Sequence, residues 1–174
     1  MRHTKTSYKL ISLALCLAML LPLAGCGESK QEQAEIFAMD TYMSLVAYGE
    51  DGQEALAAAA REINRLEQEL SRTVSTSYIY KLNENGSAAV SEETANLLKN
   101  ALDYSAATGG LFDMTVAPLV SLWGITTDSP RVPSRSEIDA LLPLVGSGHV
   151  PQDGQTVTLD AGCAVDLGGI ATGY

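Results

Sequence analysis

Apolar residues recur one helical turn apart over three stretches of the chain, residues 51–70, 91–109 and 134–143. This spacing is typical of helices that bury one face and expose the other. It predicts three amphipathic helices, whose apolar stripes indicate core packing and imply no chemistry. Two of the stretches begin with the spacing of a capping box, Asp51 with Glu54 and Ser134 with Glu137.

Period-two alternation of apolar and polar residues indicates strands in other parts of the chain. Residues 36–48 alternate in this way, and residues 149–150 and 155–160 flank a Pro-Gln-Asp-Gly turn that suits a hairpin. A further strand is predicted at residues 163–167 and a turn at residues 83–86. Helices interspersed with hairpins favour a single domain of the α+β class, with a mixed or antiparallel sheet, over a doubly wound fold.

The first 25 residues have the pattern of a bacterial lipoprotein signal peptide. Basic residues precede an apolar run over residues 10–23, which is shorter than a membrane-spanning helix. The run closes on Leu-Ala-Gly-Cys, a lipobox that predicts cleavage before Cys26 and a diacylglyceryl group on its thiol. The alternative is an ordinary signal peptide with an incidental cysteine. Residues 26–35 are polar and predict a tether, which leaves residues 36–174 as the folded domain.

Acidic residues outnumber basic ones by 21 to 11, and the formal net charge is −10. The predicted cleavage removes basic residues and no acidic ones, so the mature protein is more acidic still. This charge argues against nucleic acid as a partner and against tight contact with anionic lipid headgroups. The lipid on Cys26 would therefore hold the protein at the extracytoplasmic face of the cell membrane. Cys16 leaves with the signal peptide and Cys26 is acylated, so Cys163 has no partner for an internal disulfide.

Residues 108–124, TGGLFDMTVAPLVSLWG, combine features of a ligand site. The glycines at 109–110 permit backbone angles closed to other residues and a close approach of a ligand to the main chain. Leu111 and Phe112 offer an apolar wall, and Asp113 offers a fixed hydrogen-bond acceptor beside it. This combination suits a planar ligand with amide edges. The alternative is a helix end followed by a buried strand, with the tryptophan of this stretch in the core.

Asp166 is a second candidate for ligand contact, because it lies at the end of a predicted strand just before Gly168 and Gly169. A carboxylate at this point accepts hydrogen bonds from a ligand held over the glycine turn, and its alternative role is a helix N-cap. The Gly169 carbonyl can be exposed there, and Mg²⁺ prefers oxygen ligands. His149 stands alone at a predicted strand edge, where a surface position is expected rather than a ligand role.

Four segments in the same order resemble the FAD:protein FMN transferases, which attach FMN to threonine in other proteins. Residues 108–124 resemble the run T-G-G-x-F-D-x-T-V-x-P-L-x-x-L-W-G of that family. The other segments are Met-Asp-Thr at residues 39–41, the Leu-Ser, Ser and Leu-Asn positions within residues 70–83, and AVDLGGIATGY at residues 164–174. The resemblance covers roughly residues 36–174.

The resemblance implies Mg²⁺-dependent transfer of FMN from FAD to a threonine hydroxyl in an extracytoplasmic domain of a redox protein, with release of AMP. It places the Gly169 carbonyl on the Mg²⁺ ion. Thr73 stands where many relatives have an aromatic residue, and Thr172 stands where relatives usually carry Lys or Glu. A stacking contact and a charged contact are thereby replaced by hydroxyl groups. The flavin contacts implied by the resemblance are Met39, Thr73, Leu111, Phe112, Asp113, Asp166 and Thr172.

The resembled family has further chain beyond the point that matches Gly173 and Tyr174, with a His-containing segment and additional metal ligands. The sequence is therefore expected to be the N-terminal piece of a longer protein whose catalytic residues lie in the later part. A naturally short variant is the alternative. Two other classes of protein stay open, a non-catalytic flavin- or solute-binding envelope lipoprotein and a purely structural envelope lipoprotein, and flavin binding would separate them.

Labelled palmitate is expected on the protein in bacteria, and Cys26→Ser is expected to abolish the label, because the lipobox provides this thiol as the lipid acceptor. Cys16→Ser, within the signal peptide, is the matched control and should leave the label in place. Autoradiography of the immunoprecipitated protein measures both variants. Label that survives Cys26→Ser would contradict the lipoprotein assignment.

Overall fold

The computed structural model describes residues 30–174. Cys26, the predicted signal peptide and the first part of the predicted tether lie outside the described residues. Among the described helices, none combines the length and the apolar character needed to cross a bilayer.

The described chain begins with a hairpin of two antiparallel strands, β1 (Gln31–Ala38) and β2 (Thr41–Tyr48). The prediction of one strand over residues 36–48 is therefore wrong. Met39 and Asp40 form a two-residue turn in which both residues have a φ of 53°. Apolar and polar residues alternate on both sides of this turn, and the turn lacks the glycine that usually marks a chain reversal. The alternation therefore continues across the turn and gives no sign of it.

Strand β1 also corrects the predicted tether. Residues 31–35, which were assigned to the tether, pair with residues 44–48 of β2. The odd-numbered residues of this stretch are exposed, whereas Glu32 and Ala34 are partly covered. An antiparallel strand needs only one covered face. Most of the polar residues of this stretch are therefore on the solvent-exposed face of a strand, and they do not indicate a flexible tether.

Helix α1 (Gly52–Leu70) packs against the hairpin and buries Leu56 and Leu70. The capping box predicted for Asp51 and Glu54 is wrong, because in the described structure the Asp51 side chain caps no N–H group of this helix. Asp51 has a φ of −88° and a ψ of 14°, whereas a capping side chain requires extended backbone at that position.

Helices α2 (Tyr78–Asn85) and α3 (Glu92–Ala107) each begin after a serine whose hydroxyl accepts from a backbone N–H. Helix α3 confirms the helix predicted over residues 91–109. The turn predicted at residues 83–86 is wrong over its first three residues, which are helical. Gly86, with a φ of 69°, ends the helix and provides the change of direction.

The next part of the chain contains the short helices α4 (Ala117–Trp123) and α5 (Arg135–Leu141). A 3₁₀ turn, Met114–Val116, leads into α4, so the alternative of a buried strand after the glycine pair is wrong. The capping box predicted for Ser134 and Glu137 is confirmed at α5, since both reciprocal hydrogen bonds are present.

A second antiparallel sheet joins β3 (Ser87–Ala89), β4 (Gln152–Asp153) and β5 (Thr156–Thr158), in the order β3-β5-β4. Strand β5 confirms the second arm of the predicted hairpin, but the first arm is wrong, because β4 lies within the predicted turn and residues 149–150 form no strand. The α+β class is confirmed. The strand predicted at residues 163–167 is wrong, because this segment is irregular and pairs with no strand within residues 30–174.

Residues 163–167, called the irregular segment below, are held by one side chain and one backbone carbonyl instead of a neighbouring strand. The Asn83 amide donates to the Val165 carbonyl at 2.9 Å and accepts from the Val165 N–H at 2.8 Å. The Asp166 N–H donates to the Met114 carbonyl at 2.7 Å. Both backbone groups of Val165 and the N–H of Asp166 are therefore satisfied without strand pairing.

The hydrophobic core lies between α2, α3 and the irregular segment. The segment contributes alternate side chains, of which Cys163 is a free thiol in the described structure. Burial raises the pKa of the Cys163 thiol, and the negative charge of Asp160 raises it further. The thiol is therefore kept neutral as a small core residue. Large, fully buried core side chains include Ile79, Leu82, Leu97, Leu98, Met114, Val157, Val165 and Leu167.

Asn83→Ala is expected to lower the free energy of unfolding by about 2 kcal/mol, because both hydrogen bonds to Val165 are lost and its backbone groups keep no partner there. Urea denaturation followed by circular dichroism measures the change. Asn64→Ala is the matched control, since the exposed Asn64 amide donates only to the Ala60 carbonyl of its own helix. A loss no larger than that of the control would show that the irregular segment does not depend on Asn83.

Candidate functional site

A cavity of about 560 Å³ lies where the β1–β2 turn, the loop after α1, the loop after α3 and the irregular segment meet. Its volume falls within the range of small-molecule sites. All but one of the residues that the sequence singled out for flavin or metal contact line it, although they come from distant parts of the chain. They are Met39, Thr73, Leu111, Phe112, Asp113, Asp166 and Gly169.

The β1–β2 turn presents Met39 to the cavity in a conformation that is rare for residues other than glycine. Met39 and Asp40 both have a φ of 53°. The Met39 N–H donates to the Glu67 carboxylate of α1 at 2.9 Å. Backbone strain of this kind persists where the surrounding structure holds it. The Glu67 contact therefore holds the turn at the edge of the cavity.

The glycine pair after α3 places Leu111 and Phe112 at the cavity. Gly109 and Gly110 have φ values of 64° and 81°, and the turn leaves Leu111 93% exposed at the cavity rim. The half-buried Phe112 ring lies beside Gly169. A Cβ atom added to Gly169 would be 3.1 Å from Phe112 Cε2, so glycine at this position lets the ring lie against the main chain.

Asp113 is only partly available as the acceptor that the sequence predicted. Its Oδ1 accepts from the Thr115 N–H at 2.8 Å and from the Thr115 hydroxyl at 2.6 Å, so this oxygen caps the 3₁₀ turn before α4. Its Oδ2 receives a long contact of 3.4 Å from the Ser105 hydroxyl. Oδ2 is therefore the oxygen with acceptor capacity left for a ligand.

Asp166 is held from two sides. Its Oδ1 accepts from the Gly168 N–H at 2.7 Å. This is the same kind of bond that an N-cap side chain makes, but here it stabilises a turn. Its Oδ2 lies 2.8 Å from Nε of Arg72, and the two side chains are only 19% and 18% exposed. The wall of the cavity thus contains a charged pair whose carboxylate has a defined orientation.

Arg72 is a site residue that the sequence patterns did not single out. Besides Asp166, it contacts the loop after α4, where its Nη2 donates to the Ile125 carbonyl at 3.2 Å and to the Thr126 hydroxyl at 3.0 Å. A signal was available in the sequence, since Arg72 directly follows the Leu-Ser pair at residues 70–71 that carries part of the resemblance. An arginine next to such a motif is a natural partner for a carboxylate of the same site.

The two positions that depart from the family pattern lie in different places. Thr73 lines the cavity, and its hydroxyl pairs with that of Ser71 at 3.0 Å. Thr172 is exposed on a 3₁₀ turn, Ala171–Gly173, and is not among the described residues that line the cavity. A flavin contact at Thr172 stays a prediction.

The sequence profile of the ApbE family matches residues 39–174, which include every cavity residue named above. The chain belongs to the ApbE family. The resemblance stated from the sequence is thereby confirmed.

Relatives of known sequence are named FAD:protein FMN transferase. The relative from Vibrio cholerae is 33% identical over 172 residues, which cover 92% of this chain and 51% of the relative. The relative from Salmonella typhimurium is 30% identical over 153 residues, which cover 79% of this chain and 44% of the relative. The chain therefore spans about half the length of the curated relatives it matches.

Solved ApbE structures share the fold of this chain. The ApbE protein from Thermotoga maritima has a TM-score of 0.78 and 33% sequence identity, over 83% of this chain and 50% of that chain. The flavinyl transferase ApbE from Pseudomonas stutzeri has a TM-score of 0.72 and 25% identity, over 86% of this chain and 53% of that chain. The α+β arrangement described above is thus the ApbE arrangement over the shared part.

The charged residues that line the cavity of this ApbE chain are mostly acidic. Asp40, Glu67, Asp113 and Asp166 line it, and Arg72 is its single basic residue within the part of the chain that the structure describes. Because Arg72 is paired with Asp166, the remaining carboxylates carry a negative potential at the cavity. A ligand that enters with its uncharged ring system first meets less repulsion than one that enters with an anionic group.

The described residues do not form a metal site by themselves. No group of three His, Cys, Asp or Glu side chains among residues 30–174 is placed to hold an ion. His149 pairs with Asp160 at 2.9 Å and is not among the cavity residues in this part of the chain. A single neutral carbonyl at Gly169 is too small a ligand set for Mg²⁺, so the metal contact stays a prediction.

Gly169→Ala is expected to displace the Phe112 ring, because the added Cβ would lie 3.1 Å from its Cε2. The chain contains 2 phenylalanines, so selective labelling gives two sets of ring resonances, and the Phe37→Leu variant assigns them. The Phe112 set should shift and the Phe37 set should not. Gly173→Ala is the control, since its added Cβ would have nothing within 4 Å. Unmoved Phe112 resonances in Gly169→Ala would show that the ring does not pack on this glycine.

Proposed function

We propose that this chain forms the flavin-binding part of an FAD:protein FMN transferase. The proposed reaction moves FMN from FAD to a threonine hydroxyl of a target protein and releases AMP. The observation that supports the proposal is that the separate family segments meet at the same cavity. The β1–β2 turn, the loop after α1, the glycine-pair loop and the irregular segment all line it.

The cavity suits a planar ring with polar edges. Leu111 and Phe112 supply an apolar wall, against which an isoalloxazine ring packs in a stacked or edge-on arrangement. Asp113 Oδ2 and the Asp166 carboxylate supply acceptors for the ring N–H and for ribityl hydroxyl groups. Thr73 provides a hydroxyl rather than an aromatic face, so the wall formed by Phe112 carries the aromatic contact in this chain.

In the proposed transfer, the hydroxyl oxygen of the target threonine attacks the phosphorus of the FMN half of FAD. The bond that forms joins the threonine oxygen to this phosphorus, and the bond that breaks joins the phosphorus to the oxygen that bridges to AMP. AMP leaves with that oxygen, and the hydroxyl proton passes to a base. This chain contributes the binding and orientation of the flavin end, which raises the effective concentration of the reacting groups.

The resemblance to the family also supports Mg²⁺ dependence as part of the proposal. Within residues 30–174 the expected ligand is the Gly169 carbonyl, which does not hold the ion alone, so no step of the transfer is derived through the metal. The target is proposed to be an extracytoplasmic domain of a redox protein. The Leu-Ala-Gly-Cys motif at Cys26 supports a lipid anchor on the same side of the membrane.

Asp113→Ala and Asp166→Ala are each expected to weaken FAD binding by about 1–3 kcal/mol, because each leaves a donor of the bound ligand unpaired. Titration of FAD fluorescence with the purified protein measures the affinity. Asp103→Ala is the matched control, since Asp103 pairs with Lys99 on the exposed face of α3 and should leave FAD binding unchanged. Wild-type affinity in both cavity variants would place the flavin site elsewhere.

Transfer is separated from binding by a second measurement on the same protein. The protein is incubated with FAD, Mg²⁺ and a target domain that carries an acceptor threonine, and in-gel flavin fluorescence detects modification. The target with threonine replaced by valine is the control. No target band is expected from this chain by itself, because residues 30–174 do not hold a metal ion alone and the resemblance places the other metal ligands and the catalytic residues in a later part of the family's chain. A fluorescent target band would show that this chain transfers FMN without that part, and the absence of FAD binding would favour a structural lipoprotein.

A further inference from the structure

Arg72 joins three parts of the chain that are distant in sequence. It lies in the loop after α1, and its side chain is only 18% exposed. Its Nε is 2.8 Å from Asp166 Oδ2 in the irregular segment. Its Nη2 donates to the Ile125 carbonyl at 3.2 Å and to the Thr126 hydroxyl at 3.0 Å in the loop after α4. Arg72 and all three partners line the cavity.

The contact with Asp166 restricts the carboxylate to one orientation. Oδ1 already accepts from the Gly168 N–H at 2.7 Å, so the Arg72 contact at Oδ2 holds the second oxygen as well. The guanidinium is rigid and planar and has N–H donors on several sides, so it can donate hydrogen bonds to partners in two directions at once. A lysine has the same charge, but its donors all lie on one nitrogen at the end of a flexible side chain.

The contact with Thr126 holds a strained stretch of backbone. Thr126 has a φ of 64°, which is rare for a β-branched residue. On one side the turn is constrained at Gly124, where an added Cβ would be 2.6 Å from the Ser129 carbonyl oxygen. On the cavity side, Arg72 donates the hydrogen bonds that hold Ile125 and Thr126.

We propose that Arg72 is a positioning residue for the flavin. By holding the Asp166 carboxylate, the Ile125 carbonyl and the Thr126 hydroxyl at a fixed separation, it preforms the cavity for the ring, so that less ordering is needed on binding. This inference rests on the proposed flavin site and deepens it, because Arg72 acts through its protein partners rather than by touching the ligand. A direct contact of Arg72 with the phosphates of FAD is the competing role.

Arg72→Lys tests this role while keeping the charge. One ammonium does not contact Asp166 and Thr126 together, so flavin affinity should fall about ten-fold, the effect of losing one coupled contact. The loss should be equal for riboflavin, FMN and FAD, because the ring is common to all three. A loss confined to FMN and FAD would show a phosphate contact and overturn the proposal, as would wild-type affinity for all three.

Arg135→Lys is the matched control for this substitution. Arg135 makes the same kind of pair, Nε to Asp139 Oδ1 at 2.8 Å, on the exposed surface of α5. This variant should bind the three flavins as the wild type does. Thermal unfolding of both variants shows whether they are folded at the assay temperature. An Arg72→Lys variant that is unfolded there would assign Arg72 to folding instead of positioning and would overturn the proposal.

A double-mutant cycle with Asp166→Asn tests whether Arg72 acts through Asp166. If it does, the double variant should bind FAD about as weakly as the weaker single variant. Losses that add in full would show that the two residues act independently and would overturn the proposal. Failure of the proposed flavin site is a distinct result, because the wild type would then bind none of the three flavins, and the inference about Arg72 would fall with it.

Discussion

The irregular segment, residues 163–167, runs through the core without a strand partner among residues 30–174, and the site depends on the hydrogen bonds that its backbone makes instead. A buried N–H or C=O group without a partner costs about as much free energy as a lost hydrogen bond. The Asn83 amide bonds both backbone groups of Val165, and the Met114 carbonyl accepts from the Asp166 N–H. These bonds set the point at which the Asp166 side chain enters the cavity, and its contacts with the cavity wall follow from that point.

Two walls of the cavity contain backbone in a strained conformation that side-chain hydrogen bonds stabilise. Met39 and Asp40 adopt positive φ in the β1–β2 turn, and Thr126 does so on another wall. At the first site the Glu67 carboxylate accepts from the Met39 N–H, and at the second the Arg72 guanidinium donates to the Thr126 hydroxyl. Because these contacts keep the backbone strained at the cavity, they indicate that the shape of the cavity is fixed before a ligand binds. The strain is the free energy that such a preorganised site stores.

Predictions that rest on neighbouring residues were correct at Ser134 but wrong at Asp51, whose backbone is not in the extended conformation that a capping side chain needs. The capping box at Ser134 depends on a single helical turn, and the structure contains it. Predictions failed where a distant partner decides. Alternation over residues 36–48 did not show where the chain reverses, and apolar alternation over residues 163–167 did not show that strand partners are missing among the described residues. The same limit applies to Asp113, because half of its carboxylate is used by Thr115 within the protein.

The sequence by itself determined the family, the fold class and most of the residues that meet at the cavity, because motifs and helical periodicity are local properties of the chain. Phe112 and Asp166 were identifiable in this way. Only the tertiary structure decided that Arg72 pairs with Asp166 and also holds Thr126. Contacts of this kind join residues far apart in sequence, and they depend on how the helices and loops pack, which no local pattern of residues encodes.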